Sequence, residues 1–246
     1  MFRLGDFRQA SIATTAPCEF LRIHKLEFLR ITKARDEQMM QQRKGVLMDV
    51  PHFGSGGPEI LDQLLSFCDF LHFNSQQIIV HQDIHATQLF TIMSGSCRCV
   101  RSVPFVRRKG LLAPYDESSV LRDGDEVVHQ TLTVMELGVG DYFPGLPPPT
   151  ITPFRRENYA LQLMAEDAVN TKSRTPISVI ASSPVEVVAI NRHHFGLHAP
   201  ESVVLRVIED SQIFKVPLGE LQEAYLERLK WDMFKKKVTQ ELQVRK

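Results

Sequence analysis

This chain has few cysteines, no charge excess of either sign and no long apolar run. Cys18, Cys68, Cys97 and Cys99 are its only cysteines in 246 residues, too sparse for a disulfide scaffold. A reduced intracellular compartment is the simplest reading. The 29 basic residues are matched by 29 acidic ones. The basic excess of a nucleic-acid binder is therefore missing. No apolar run reaches the roughly 20 residues that cross a bilayer, so no membrane insertion is expected. Met1 is followed by Arg3, Gly5 and Asp6 rather than by the apolar core of a signal peptide. No Ser-His-Asp set, paired carboxylate site or Walker loop stands out, and an enzyme is not expected.

What is present is a globular balance, 43% apolar and 24% charged. Gln76 to Val100 carries the strongest pattern. Apolar and polar residues alternate on both sides of a corner at His81-Gln82-Asp83. The run ends at Ser94-Gly95-Ser96, and Cys97 to Val103 follows as a second strand signal. Such patterning predicts antiparallel strands of a small barrel or sandwich. Gln130 to Leu137, Ile177 to Ala181 and Val185 to Ile190 read as further strands, with turns at Gly138–Phe143 and Ser182-Ser183-Pro184. Gln9 to Thr14 and Glu19 to Ile23 read as two short strands near the start. Residues 104–128 read as a polar loop without periodicity.

Helical patterns separate these runs. Lys25 to Lys44 is one. Pro58 opens another, with an apolar stripe of Ile60, Leu61, Leu64, Leu65, Cys68 and Leu71. Tyr159 to Val169 is short. Pro200 opens a helix bearing Val203, Val204, Val207 and Ile208. A last helix runs from about Leu218, with Leu218, Leu221, Tyr225, Leu229 and Met233 as its stripe and Trp231, Phe234 and Val238 widening it.

The corner His81-Gln82-Asp83, the segment Leu89–Gly95 and the approach Gly138-Val139-Gly140-Asp141-Tyr142-Phe143 resemble a cyclic nucleotide-binding domain. The resemblance implies a mainly β fold with flanking helices, a jelly-roll barrel of the double-stranded β-helix type. Arg8-Gln9-Ala10-Ser11-Ile12 and Cys18–Ile23 resemble the end of a preceding domain of the same kind. The expected organisation is a first-domain remnant over 1–45, linker helices over 46–75, a barrel over 76–198 and lid or tail helices over 199–246. A first strand with nothing before it to pair with suggests a fragment or short isoform. The linker after Phe53, the 104–128 insertion and the proline-rich cassette resemble a tandem-domain branch of that family linked with sperm function. The implied activity is cytosolic cAMP sensing, with binding converted into a helix rearrangement read by a protein partner.

A cyclic phosphate needs a guanidinium fork and backbone N–H groups, and the ribose 2′-hydroxyl needs a carboxylate. The resemblance puts Arg8 at the fork of the first site, beside Ala10 and Ser11. The complementary Glu would lie upstream of Met1. In the second cassette Phe143 matches the family's Phe, but Pro144-Gly145-Leu146 stands where Gly-Glu should follow. Pro147, Pro148 and Pro149 supply no N–H. Registering Ser178-Val179 on the family's pattern puts Thr175 at the fork and Arg174 one residue away. Glu157 or Glu166 would have to replace the carboxylate. The expectation is weak or absent cyclic nucleotide binding by the second domain, with Tyr225 or Trp231 as lid aromatics.

Two other functions compete: a ligand-free domain acting as an interaction scaffold, and a cupin-like metalloenzyme using His81 and His85. The spacing of that pair is wrong for a cupin motif, so no metal cofactor is expected. His193, His194 and His198 read as polar junction residues, and Cys97 and Cys99 as small core residues. Gly54-Ser55-Gly56-Gly57 reads as linker, and Lys235-Lys236-Lys237 as a solvated face with partner contact as the minority reading.

Overall fold

The computed structural model describes residues 13–169 and 174–244. The chain divides into two units, 1–42 and 43–246. In the first, helix α1 (Lys25–Met48) begins, with Glu27–Arg30 paired on its exposed first turn. The strand expected over Glu19 to Ile23 is not formed, and Phe20, Leu21 and Ile23 are exposed. A lone extended segment has no edge to hydrogen-bond to, so its alternation alone does not make a strand. The other expected strand, Gln9 to Thr14, lies almost wholly outside the described residues, as do Arg8, Ala10 and Ser11.

The second unit is a jelly roll. Its strands are β1 (Cys68–Phe73), β2 (Ile78–Val80), β3 (Gln88–Ser94), β4 (Cys97–Arg108), β5 (Leu111–Pro114), β6 (Glu126–Leu137), β7 (Tyr142–Phe143), β8 (Ser178–Ala181) and β9 (Val185–Asn191). One sheet has the order β1-β9-β3-β7. The other runs β2-β8-β4, and β4 pairs with both β5 and β6. All pairings are antiparallel, and consecutive strands alternate between the sheets until β4 to β6. This is the interleaving that two Greek keys produce.

Period-two burial divides the core. Val80, Phe90, Ile92, Cys97, Cys99, Phe143, Val179, Val185 and Val187 fill the space between the sheets. Leu89, Val188 and Ile190 point the other way from β3 and β9, onto the helices. There they meet Leu47 of α1, Phe53 of α2 (Pro51–Gly54), Leu61 and Leu64 of α3 (Gly57–Leu65), Leu163 of α4 (Arg156–Val169), Phe195 of α5 (Arg192–His198) and Val204 of α6 (Glu201–Asp210). Helix α7 (Leu218–Val244) follows a 3-10 turn at Ser211–Phe214. No described helix is long and apolar enough to cross a membrane.

Two expectations need correcting. The helical stripe through Cys68 and Leu71 stops at Leu65, because those two residues lie on β1 and pair with Ile190 and Val187. A short run of apolar residues at spacing three fits either element, and the free edge of β9 decides it. The 104–128 segment is not a plain loop. β4 continues through Pro104 to Arg108, and Val103 and Phe105 are fully buried. Pro104 is tolerated because β8 pairs with β4 only up to Val100 and β5 only from Phe105, so at Pro104 one side of the strand is a free edge.

Candidate functional site

The sequence around the proline cassette closes a small cavity of about 180 Å³. Its walls are Ala86, Pro144–Pro148, Arg174, Thr175, Pro176, Arg192, Ser211, Phe214 and Lys215. Gly145, Arg174 and Thr175 all line it. Phe143 and Ser178 stand behind the wall. The Phe143 ring is fully buried and stacks on Phe90 at 5.4 Å between centroids, a barrel-core contact. Ser178 Oγ accepts from the Gln82 N–H at 2.8 Å.

The Thr175 hydroxyl is turned to the backbone of the corner rather than into the cavity. Its Oγ1 lies 2.6 Å from the His81 carbonyl and 3.1 Å from that of Ile84. Its N–H donates to the Ile84 carbonyl at 3.0 Å, and its carbonyl accepts from the Asp83 N–H at 2.8 Å. The residue is a clamp on the corner, where Asp83 has a φ of 61°. Arg174 is exposed and forms a bridge pair with His85.

The Leu146 N–H of the cassette is already engaged. The Leu146 N–H donates to Ser211 Oγ at 2.8 Å in a buried contact, and Ser211 Oγ in turn donates to the Val207 carbonyl. Gly145 has a φ of 101°, and a Cβ there would lie 2.5 Å from Ser211 Oγ. Gly145→Ala is therefore strained twice, by its backbone and by Ser211. A loss of about 2 kcal/mol is expected in urea unfolding. Adding Ser211→Gly should recover only the steric part. The proline loop is tied from its other side to α4, where Tyr159 donates to the Pro147 carbonyl at 2.7 Å and Gln162 Nε2 to that of Pro148 at 3.0 Å.

Sequence reading missed Arg192 and Phe214. Arg192 opens α5, and its side chain is 3% exposed. Nη2 donates to Asp167 Oδ1 of α4, and His85 Nε2 donates to the same oxygen at 2.9 Å. Arg192 Nε and His85 Nδ1 are buried without a partner. Phe214 is 4% exposed, belongs to the core between the sheets and lines the cavity. An Arg just after an apolar strand was the available signal for the first. Nothing in the spacing around Phe214 marks the second.

The aromatics proposed as lid residues lie elsewhere. Tyr225 packs on Phe105 at 5.2 Å, its hydroxyl 3.4 Å from Gln130 Oε1. Trp231 is 58% exposed and stacks on Phe234. Neither lines the cavity; Phe214 does. Glu157 and Glu166 are also absent from its walls. A larger groove of about 730 Å³ runs between α2, the Val139–Tyr142 turn and α6, with Asp49, Asp141, Asp210 and Arg206 on its walls.

Among the described residues no group of three His, Cys, Asp or Glu is placed to hold a metal ion. His194 and His198 instead stack on Phe67 at 4.3 and 4.7 Å. Burial pushes the Cys97 thiol up to about 11 and the Cys99 thiol up to about 12, the signature of inert core cysteines.

No family model matches the chain, and no curated protein matches it. Among solved structures it is similar to the regulatory subunit of a cAMP-independent protein kinase A from Trypanosoma brucei, at 16% identity and a TM-score of 0.44. That match covers 76% of this chain and 52% of the other, so the chain spans about half the length of that subunit. It is similar to the regulatory domain of Toxoplasma gondii protein kinase A, crystallised with cAMP, at 14% identity over 69% of this chain and 48% of that one, TM-score 0.43. It is also similar to the Thermus thermophilus catabolite activator protein, at 17% identity over 77% and 63%, TM-score 0.36. None of these likenesses assigns a ligand to this chain.

Proposed function

We propose that the chain is a non-enzymatic regulatory module of the cyclic nucleotide-binding type, whose ligand cavity is filled at rest by its own helical tail. The observation that carries this reading is the seat of Ser211–Phe214. Ser211 occupies the Leu146 N–H, and Phe214 forms the cavity wall. Small-molecule sites commonly measure about 300–1,000 Å³. A cavity of about 180 Å³ admits a cyclic nucleotide only if the 3-10 turn withdraws. Withdrawal moves α6 and α7, so occupancy becomes a displacement that a protein partner reads. Arg174 and Lys215 on the cavity wall favour an anion there. Among the described residues no carboxylate lines it to receive a 2′-hydroxyl.

Binding is therefore expected to be weak. Isothermal titration of the whole chain with cAMP and cGMP should give a Kd above ~10 µM, less than about 7 kcal/mol of binding free energy. Ser211→Ala frees the Leu146 N–H and loosens the turn, and should tighten binding about fivefold, near 1 kcal/mol. Arg8, Ala10 and Ser11 belong to the same proposal as the phosphate-binding remnant of a preceding domain. Loss of binding in Arg8→Ala would place the ligand there instead. Cytosolic cAMP sensing in sperm signalling rests on the resemblance of the sequence alone. A second reading, a ligand-free interaction scaffold, is favoured by the occupied Leu146 N–H and the prolines. Absence of saturation at millimolar nucleotide in both the parent chain and Ser211→Ala would support it against the sensor.

A further inference from the structure

Helix α7 has two apolar faces, and only the first is used. Over its N-terminal half Leu218, Leu221, Gln222, Tyr225, Leu226 and Leu229 are buried or half-buried. Tyr225 lies on Phe105, and Gln222 Nε2 donates to the carbonyls of Pro104 and Tyr115 at 2.7 and 2.6 Å. Beyond Leu229, Met233 keeps to the first face but is 60% exposed, and the other large apolar residues change sides. At ~100° per residue, Trp231, Phe234 and Val238 point roughly opposite to the packed face. Trp231 is 58% exposed, Phe234 55% and Val238 36%. They do not widen the stripe of the first half, as the sequence had suggested. They form a separate seat.

We propose that this seat docks an acidic protein bearing a methionine-lined groove, of the kind that calcium sensors open. The anchors stand at i, i+3 and i+7, the spacing with which an amphipathic helix fills such a groove. Trp231 and Phe234 are stacked at 5.6 Å and present one continuous aromatic surface. Lys230, Lys235 and Lys237 flank this face; the Lys235 ammonium lies 5.8 Å from the Trp231 ring centroid and pairs with Asp232 at 2.7 Å. The charge complement of this surface is acidic.

That charge pattern also selects against other occupants. In a self-paired coiled coil Trp231, Phe234 and Val238 would take the core positions. The flanking positions would then be Lys230, Lys235 and Lys237, setting like charges against each other. A membrane surface favours a wide, extended apolar face. Here Glu227 stands on the same side one turn before Trp231 and ends the stripe.

Trp231 is the only tryptophan in the chain, so its fluorescence reports on the seat directly. The whole chain is titrated with tryptophan-free calmodulin, first with Ca²⁺ and then with excess chelator. The expected result is a blue shift of the Trp231 emission, saturating at a Kd of about 1 µM or tighter and reversed by chelation. Phe234→Ala should weaken it about tenfold. Lys230→Glu, Lys235→Glu and Lys237→Glu together should weaken it more and reduce its salt dependence. These side chains are exposed, so the variants should fold as the parent does, which circular dichroism checks. Three results overturn the proposal. They are no shift at tens of micromolar calmodulin, an equal shift on vesicles of phosphatidylserine and phosphatidylcholine, and a concentration-dependent dimer that produces the shift by itself.

Discussion

Arg192→Met is expected to cost about 3 kcal/mol of folding stability, among the largest effects of any single substitution near the cavity. The Arg192 side chain is 3% exposed and that of Asp167 16% exposed, and they share a short charge-assisted contact that ties the start of α5 to the end of α4. Removing the guanidinium leaves the Asp167 carboxylate, among the described residues, with the His85 N–H at 2.9 Å. A buried charge stripped of its partner costs about 3–5 kcal/mol, and the partial exposure of Asp167 puts this pair at the lower end. In a unit of this size the midpoint of thermal unfolding should fall by roughly 6–12 °C. Arg192→Met with Asp167→Leu should recover part of the loss, since it removes the uncompensated charge but leaves the buried His85 N–H without its acceptor. A double variant no better than the single one would show that Arg192 acts through packing rather than charge. Recovery would identify the pair as the fastener of the cassette helix. The cavity should then change shape in the single variant, because Arg192 is part of its wall.

The barrel was legible in the sequence because its strands alternate at period two and its turns carry Gly, Asp and Pro. β3, β8 and β9 fall where those signals put them. Where the pattern was ambiguous, the chain's long-range partners decided. Cys68 and Leu71 fit a helix by spacing, yet they complete the sheet beside β9. Glu19 to Ile23 alternates like a strand and has no edge to join. The cassette was legible only in part, for a similar reason. Gly145, Arg174 and Thr175 were named from the resemblance, and all three line the cavity. Ser211 and Phe214 reach the cavity from the far side of α6, 65 residues after Leu146 in the case of the Ser211 contact. Nothing local to a 3-10 turn announces that its serine will take an amide donor from a loop so far upstream. The two faces of α7 were hidden differently. Read as one helix, its apolar residues nearly encircle the axis. Burial along its length is what separates the used half from the bare one.

Acidification should destabilise the second unit before its carboxylates titrate, and His52 is expected to be the main cause. His52 is 6% exposed on α2, with Nε2 2.8 Å from Thr91 Oγ1 and its ring edge-on to Tyr142 at 4.6 Å. Burial among these aromatics holds its pKa at about 4, against 6.5 for a free histidine. In the unfolded chain the imidazole takes a proton near pH 6.5, while the folded protein refuses it down to about pH 4. The unfolded state therefore binds more protons across that window, and stability falls as pH falls. A difference of about 2.5 units at ~1.4 kcal/mol each gives roughly 3 kcal/mol lost between neutral pH and about pH 4. His193 and His198 are also held low by burial and by His194, so they add to the same slope. His52→Gln keeps a hydrogen-bonding side chain facing Thr91 but cannot be protonated. Urea unfolding of both proteins near pH 7, 5.5 and 4.5 isolates the residue. The parent should lose most of its advantage over the variant between the first and last of these. Parallel pH curves would show that His52 is protonated in the fold without penalty, and that its contact with Thr91 tolerates the charge.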